Sequence, residues 1–415
     1  MVSISATELA TEILDACLRD GTWPARVLDA LVDRALDEDD PFLAMAATRA
    51  LFGVLVERLG DLFEPSLCEV YARLFSHVIA RALPDYDAKD LLVRYGRVRQ
   101  VRRFSGGEIG RVFVLSRVTL GADIAVTSMV LDAAKKRFPE AEVCLVGPEK
   151  NAAMFSEDEA IISIPVAYGR STLLRDRLTA AMELQSIVDE RASLVIDPDS
   201  RLTQLGLIPV CDDSRYYFFE SRAFGGELDT PLPELTSEWL YEVFDVEKPR
   251  NYLAPPPVPK LAPVTVSFGV GENSNKRLEG DFEFEILRAL LERYDSVLLD
   301  RGAGGEEAER AHALAEQLGQ PERLKLHDGS YSSFAAHILQ SELYVGYDSA
   351  GQHVAAAGGV PLVSVFAGFP CERMFDRWRP TGPRAHVVKI EDENRNSALP
   401  RVLQAIEEAA EAGRE

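Results

Sequence analysis

The spacing of apolar residues changes character twice along the chain. Up to about residue 100 it has a helical period. Val27, Leu28, Leu31, Val32 and Ala35 follow it, as do Leu67, Val70, Tyr71, Leu74, Phe75, Val78 and Ile79, and Phe42 to Leu59 adds a third stripe. This pattern predicts an all-α N-terminal domain, residues 1–105, of four or five helices with these stripes as its core. Short apolar runs then alternate with helical stretches. Strands are expected at 112–116, 143–147, 161–165, 194–197 and 216–219, with helices at 128–138 and 173–191 between them. Residues 254–263, APPPVPKLAP, stay extended and read as a linker. After it the alternation restarts, with strands at 264–268, 297–299, 324–326, 343–347, 362–366 and 386–390. Helices are expected at 282–294, 306–318, 333–340 and 352–357, and a last acidic helix at 398–412. The predicted fold class is α/β, with two Rossmann-like, doubly wound halves at 106–253 and 264–415. Paired halves of this kind suit a ligand held between facing strand ends.

The segment 343–366, LYVGYDSAGQHVAAAGGVPLVSVF, carries the most chemical information. Its apolar run ends on Asp348 and Ser349, two favourable helix N-cap residues. A short Ala-rich helix with His353 follows, then two glycines and another strand. A strand that ends in a polar turn feeding a helix start is a ready site for a phosphate or polar ligand.

Charge narrows the partners. Against 67 Asp and Glu stand 45 Lys and Arg, a net charge of −22. Nucleic acids and anionic membrane surfaces need a basic face, so they are not expected as main partners. Five cysteines (17, 68, 144, 211 and 371) are scattered and never in CxxC spacing. They predict reduced thiols in a cytoplasmic protein, with neither a disulfide framework nor a zinc site. The first 21 residues lack a basic stretch followed by an apolar core, so no signal peptide is expected. No apolar run approaches membrane-spanning length. His77, His312, His327, His337 and His386 lack ligand spacing, and no metal site is predicted.

Four more segments join a strand to polar residues. Gly269 to Arg277 is a Gly- and Asn-rich turn with two cations, Lys276 and Arg277; it can hold a phosphate, or be an ordinary surface loop. Asp300 to Glu307 is a glycine turn ending in Glu306 and Glu307. A carboxylate there can take ribose hydroxyls, or simply meet the dipole of the helix it starts. Asp123 follows the first predicted strand, where it can act as a general base toward an alcohol or cap the next helix. The Asp197-Pro198-Asp199-Ser200 sequence has DxD spacing, yet reads as a strand-end turn whose side chains satisfy loop amides.

In order and spacing these segments resemble glycosyltransferase family 9, the ADP-heptose:lipopolysaccharide heptosyltransferase-like group, over about residues 110–395. Asp348-Ser349-Ala350-Gly351-Gln352-His353-Val354-Ala355-Ala356 is similar to the family's D-[TS]-[GA]-x-x-H-x-A-A signature, and residues 359–366 fit its sequel. Gly271 through Lys276 and Arg277 resembles the family's Gly-x-x-x-x-Lys-Arg segment. Gly121-Ala122-Asp123 resembles its Gly-Asp, Lys136 to Pro139 its Lys-x-x-Pro, and Leu194 to Asp197 a family strand ending in Asp.

The resemblance implies a GT-B fold, with the nucleotide-sugar donor bound mainly by the second half and the acceptor mainly by the first. It implies inverting, metal-independent transfer from a nucleotide-diphosphate sugar, possibly an ADP-linked heptose, without any other cofactor. It makes Asp123 the candidate catalytic base. Gly271, Asn273, Lys276, Glu306, Asp348, Ser349, Ala350 and His353 become the donor-binding set, with Lys276 neutralising the diphosphate and Glu306 meeting the ribose in a register open by one residue. Two departures stand out. Ala122 splits the Gly-Asp pair, and the first hundred residues lie outside the family core. Such an enzyme belongs to bacterial glycan biosynthesis, and its acceptor is a glycan, a protein or a small molecule. A catalytically silent nucleotide-binding scaffold and a sugar-nucleotide epimerase are the alternatives.

Overall fold

The computed structural model describes residues 4–169, 172–271, 273–302, 304–320, 322–391, 395 and 397–412. The chain separates into two compact units. One comprises residues 1–118, 130–149 and 160–249; the other comprises 119–129, 150–159 and 250–415.

In the first unit, helices run over Ala6–Asp20, Ala25–Ala35, Pro41–Ala50, Pro65–Ala82 and Ala88–Val98. The first opens on a capping box, in which Ser5 Oγ accepts from the Glu8 amide at 3.2 Å and Glu8 accepts from the Ser5 amide at 2.7 Å. The stripes read from the sequence are buried: Leu28, Leu31, Val32, Leu74, Phe75, Val78 and Ile79 are all fully inaccessible. Their core does not stop at the helices. It continues through Phe113, Leu115, Val146 and Val195 of the first sheet, so helices and sheet share one apolar interior.

That sheet contains β1 (Arg111–Leu115), β2 (Glu142–Gly147), β3 (Ile161–Pro165), β4 (Ser193–Asp197) and β5 (Tyr216–Phe218). All its pairings are parallel, in the order β3-β2-β1-β4-β5. Every expected strand is present within a residue or two. The edge strand β5 is covered by the last helix of the layer and by the residues after it. Arg94 pairs with Asp213 at 2.7 Å and lies 4.8 Å from the Tyr216 ring centre. Arg102 Nη2 donates to the Tyr216 carbonyl at 2.9 Å. Cations and side chains over an edge strand block pairing with another chain. A helix missed from sequence, Leu232–Phe244, buries Leu235, Trp239, Leu240 and Val243 at helical spacing.

The second unit contains β6 (Val264–Ser267), β7 (Val297–Asp300), β8 (Leu324–His327), β9 (Leu343–Tyr347), β10 (Leu362–Ala367) and β11 (Ala385–Ile390). They are parallel in the order β11-β10-β9-β6-β7-β8. The strand order reverses between β6 and β9, and such a reversal leaves a crevice beyond the strand ends. The expected α/β class, with two Rossmann-like sheets behind an all-helical region, is what the chain adopts. The Pro-rich stretch is irregular and leads into β6.

The DxD-spaced carboxylates are consumed by the fold of the first unit. Asp197 accepts from the Ser200 amide at 2.6 Å and from the Thr203 and Tyr216 hydroxyls, each at 2.5 Å. Asp199 pairs with Arg222 at 2.7 Å. Burial pushes Asp197 up from its ordinary 3.8 to about 6, against the lowering effect of those three donors. Because the folded state holds this proton more tightly, the group's contribution to stability falls as pH rises from about 4 to about 6. Asp197→Asn should therefore remove a destabilisation of up to about 3 kcal/mol at neutral pH. Urea midpoints of both proteins at pH 4 and pH 7 check this; parallel pH profiles would refute it.

Candidate active site

The crevice between β6 and β9 is lined by the two segments singled out in the sequence. β9 is entirely buried and hands over to Asp348, itself 5% exposed. Ser349 is the N-cap of the helix Ala350–Ala357, in an extended conformation, and its hydroxyl does not bond the first helical amides. The helix therefore starts with amides that a ligand's oxygens can meet.

Across the crevice, the turn after β6 brings up Lys276. Its ammonium donates to Asp348 Oδ2 at 2.8 Å and to the Asp348 carbonyl at 2.9 Å. Two features fix this turn. Asn273 Oδ1 accepts from the Asn275 amide at 3.1 Å, while Asn273 Nδ2 donates to the Gly368 carbonyl at 3.1 Å. Gly368 has φ +63°, and a Cβ there would run into the Asn275 carbonyl. The close approach of the β6 and β10 loops thus requires glycine. Gly271, with φ +60°, forms the exposed bend of the same turn.

Gln352 ties the site together, and the motif reading passed over it as a variable position. It is fully buried. Its amide nitrogen donates to Asp348 Oδ1 at 2.5 Å, and its carbonyl oxygen accepts from Ser364 of β10 at 2.5 Å. The only sequence signal for it was its place one helical turn after Asp348. His353 is 7% exposed and packs edge-on to Trp378, ring centres 5.7 Å apart. Burial pushes its imidazole down from 6.5 to about 4; Asp348 opposes this and Lys276 adds to it. It is neutral at pH 7.

The two glutamates differ in placement. Glu306 is on the surface, its side chain 82% exposed, and pairs with Arg277 at 3.3 Å. Glu307 turns inward, and its Oε1 accepts from the Val270 amide at 3.0 Å and the Gly271 amide at 3.3 Å. It is Glu307 that lies against the β6 turn. Arg277 also faces the buried Glu283 at 3.6 Å.

Asp123 clusters with this unit through the segment 119–129. It does not cap a helix. The helical run begins at Leu120 with Thr119 as N-cap, and Asp123 opens a π-helical turn, Asp123–Thr127. The Ser128 amide reaches the Asp123 carbonyl five residues back. A π-turn absorbs one extra residue without breaking the helix, which accounts for the Ala122 that splits Gly from Asp. Gly121 lies against the start of the helix Ala350–Ala357: a Cβ at Gly121 would sit 3.3 Å from both Ala350 Cα and His353 Cδ2. Asp123 is fully buried. It accepts from Thr127 Oγ1 at 2.6 Å and from Asn151 Nδ2 at 2.5 Å. Asn151 was not foreseen, because no motif marks it.

Residues 211–402 match the family model described as glycosyltransferase family 9 (heptosyltransferase). Over that stretch the chain is similar to glycosyltransferase family 9. It is heptosyltransferase-like, as the motifs implied, and the family is one of glycosyltransferase enzymes. No curated protein sequence matches it. Among solved structures it is similar to E. coli heptosyltransferase WaaC with ADP-2-deoxy-2-fluoro heptose, at 18% identity and a TM-score of 0.55, covering 72% of this chain and 99% of that one. E. coli ADP-heptose lps heptosyltransferase II matches at 15% identity and 0.53, over 74% and 100%. The glycosyl transferase family 9 from Veillonella parvula DSM 2008 matches at 16% and 0.53, over 74% and 98%. At these identities the structures speak to the fold, which is of GT-B type.

Within the stretch that matches the family 9 model, Lys276, Asp348, Ser349, Ala350 and His353 come together at one crevice, with Gly271 and Asn273 shaping the turn that delivers Lys276. Glu306 stands apart from them. No helix among the described residues is long and apolar enough to cross a membrane. Since the fold excludes a proton from His353, its contribution to stability is lost as pH falls from 6.5 toward about 4. His353→Gln should flatten that decline by as much as about 3 kcal/mol. Denaturant midpoints at pH 7 and pH 4 read it, and an unchanged slope in the variant would show that another group titrates.

Proposed function

We propose that the protein transfers a sugar from a nucleotide-diphosphate donor to an acceptor hydroxyl, with inversion and without need of a metal. The observation that carries this is the Lys276–Asp348 contact beside an uncapped helix start at the strand-order reversal. A diphosphate leaving group gains negative charge as the glycosidic bond breaks. An ammonium and a row of helical amides are the groups that meet such charge. Lys276 reaches the phosphates with the donor that Asp348 leaves unused, and Ser349, Ala350 and the neutral His353 line the donor sugar nucleotide. Asp348 holds the lysine in place. Glu307, one residue after the expected Glu306, is the better-placed ribose contact, since it already lies against the β6 turn. A heptose and an adenine nucleotide fit the relatives, two of which carry ADP-heptose or its analogue in their descriptions. All five cysteines are free thiols, which suits a cytoplasmic setting.

Asp123 is the proposed base, taking the acceptor proton as the hydroxyl attacks the anomeric carbon. A second reading is favoured by one observation: Asp123 is fully buried and held by Thr127 and Asn151. On that reading it pins the segment, and the protein is a nucleotide-binding scaffold.

ADP binding and turnover of ADP-heptose, followed as transfer to a panel of glycan, protein and small-molecule acceptors or to water, separate these readings. Lys276→Ala should weaken ADP binding about ten-fold or more, the loss of one charge-assisted bond. Unchanged affinity would make the turn purely structural. Asp123→Asn should bind ADP normally and lose roughly 10²- to 10⁴-fold in turnover. Full activity in that variant favours the pin.

A further inference from the structure

We infer that Asn151 and Asn251 are positioning residues for Asp123, a device the extra Ala122 makes necessary. This rests on the reading of Asp123 as the base. The inserted residue forces a π-turn, and a π-turn disturbs the regular carbonyl-to-amide ladder around it. Asn251 answers this from a distant segment of the same unit. Its side-chain nitrogen donates to the Ile124 and Ala125 carbonyls, both at 2.8 Å, and approaches Ser128 Oγ at 3.3 Å. Ser128 Oγ in turn donates to the Ile124 carbonyl at 2.6 Å. The turn that carries Asp123 is thereby clamped from outside the helix.

Asn151 acts on the carboxylate itself. It sits on the short helix Glu149–Ala152 and is fully inaccessible. Its Nδ2 donates to Asp123 Oδ2, while Thr127 Oγ1, one π-turn along, donates to Oδ1. Each carboxylate oxygen thus has its own fixed donor, so the group's plane is set from both sides. Asn151 Oδ1, equally buried, has no hydrogen-bond partner among the described residues. An unpaired buried carbonyl is unfavourable, so Asn151 keeps its place beside Asp123 at a cost.

The test compares Asn151→Ala, Asn151→Asp, Asn251→Ala, Thr127→Val and Thr127→Ser in the full chain, with Asp123→Asn as reference. ADP affinity, melting temperature, and kcat and KM with ADP-heptose are measured for each. Asn151→Ala, Asn251→Ala and Thr127→Val should lose about ten-fold or more in kcat with ADP affinity kept. Asn151→Asp should lose more, because a second carboxylate faces Asp123 and only Thr127 remains as a donor. Thr127→Ser keeps the hydroxyl and should keep kcat.

The outcomes separate cleanly. If Asp123→Asn is inactive but the Asn151 and Asn251 variants turn over normally, the positioning role alone is overturned. Loss of ADP affinity and kcat in equal proportion, or a Thr127→Ser as impaired as Thr127→Val, would make these contacts structural and also overturn it. If Asp123→Asn is fully active, or the parent protein turns over no donor, the base reading falls and takes this inference with it.

Discussion

A lysine held by the carboxylate and carbonyl of one aspartate organises the second unit. The Lys276 and Asp348 side chains are 15% and 7% exposed, so the pair is largely desolvated. A buried pair gains little net stability, and leaving either partner alone is expensive. That balance explains the supporting contacts. Gln352 fixes Asp348, Ser364 fixes Gln352, and Asn273 with Gly368 fixes the turn that brings the lysine. It also suits a ligand site. On the proposed reading, the ammonium has a third donor beyond the two that Asp348 takes, so it can meet a diphosphate while the carboxylate stays paired.

The first unit is organised by apolar area rather than by charge. Its helical layer does not form a separate core; Phe75 and Val78 belong to the same interior as Phe113 and Val195. The helical layer and the residues after it also cover β5 through Arg94 and Arg102. A parallel sheet must be covered on both faces and at its edges to stay soluble. The first hundred residues, which lie outside the family pattern, therefore do structural work for the sheet they precede.

Several elements were legible because they are local. Strand 343–347 is an uninterrupted apolar run and is buried throughout. The helical stripes keep their period over whole turns. The DxD-spaced pair was readable as a turn, since Asp197 finds the Ser200 amide within three residues. Gln352 and Asn151 were not legible. Their importance lies in partners from other elements, and an amide side chain carries no signature of its own. Glu307 and Glu306 differ by which way one helix start faces, something a single residue of register decides. The helix Leu232–Phe244 had the right spacing, but its aromatic and acidic mixture hid it among loops.

The sequence by itself determined the two alternating strand-and-helix halves, the helical leader and the order of the family 9 motifs. Each depends on periodicity or on neighbours in the chain. Tertiary structure alone decided that Gly121 meets the helix carrying His353, that Ala122 is taken up in a π-turn, and that Asn151 and Asn251 hold that turn. The physical reason is the same in each case. Close packing and hydrogen-bond satisfaction are properties of surfaces that meet in space, and residues far apart in sequence give no sign of meeting until the chain has folded.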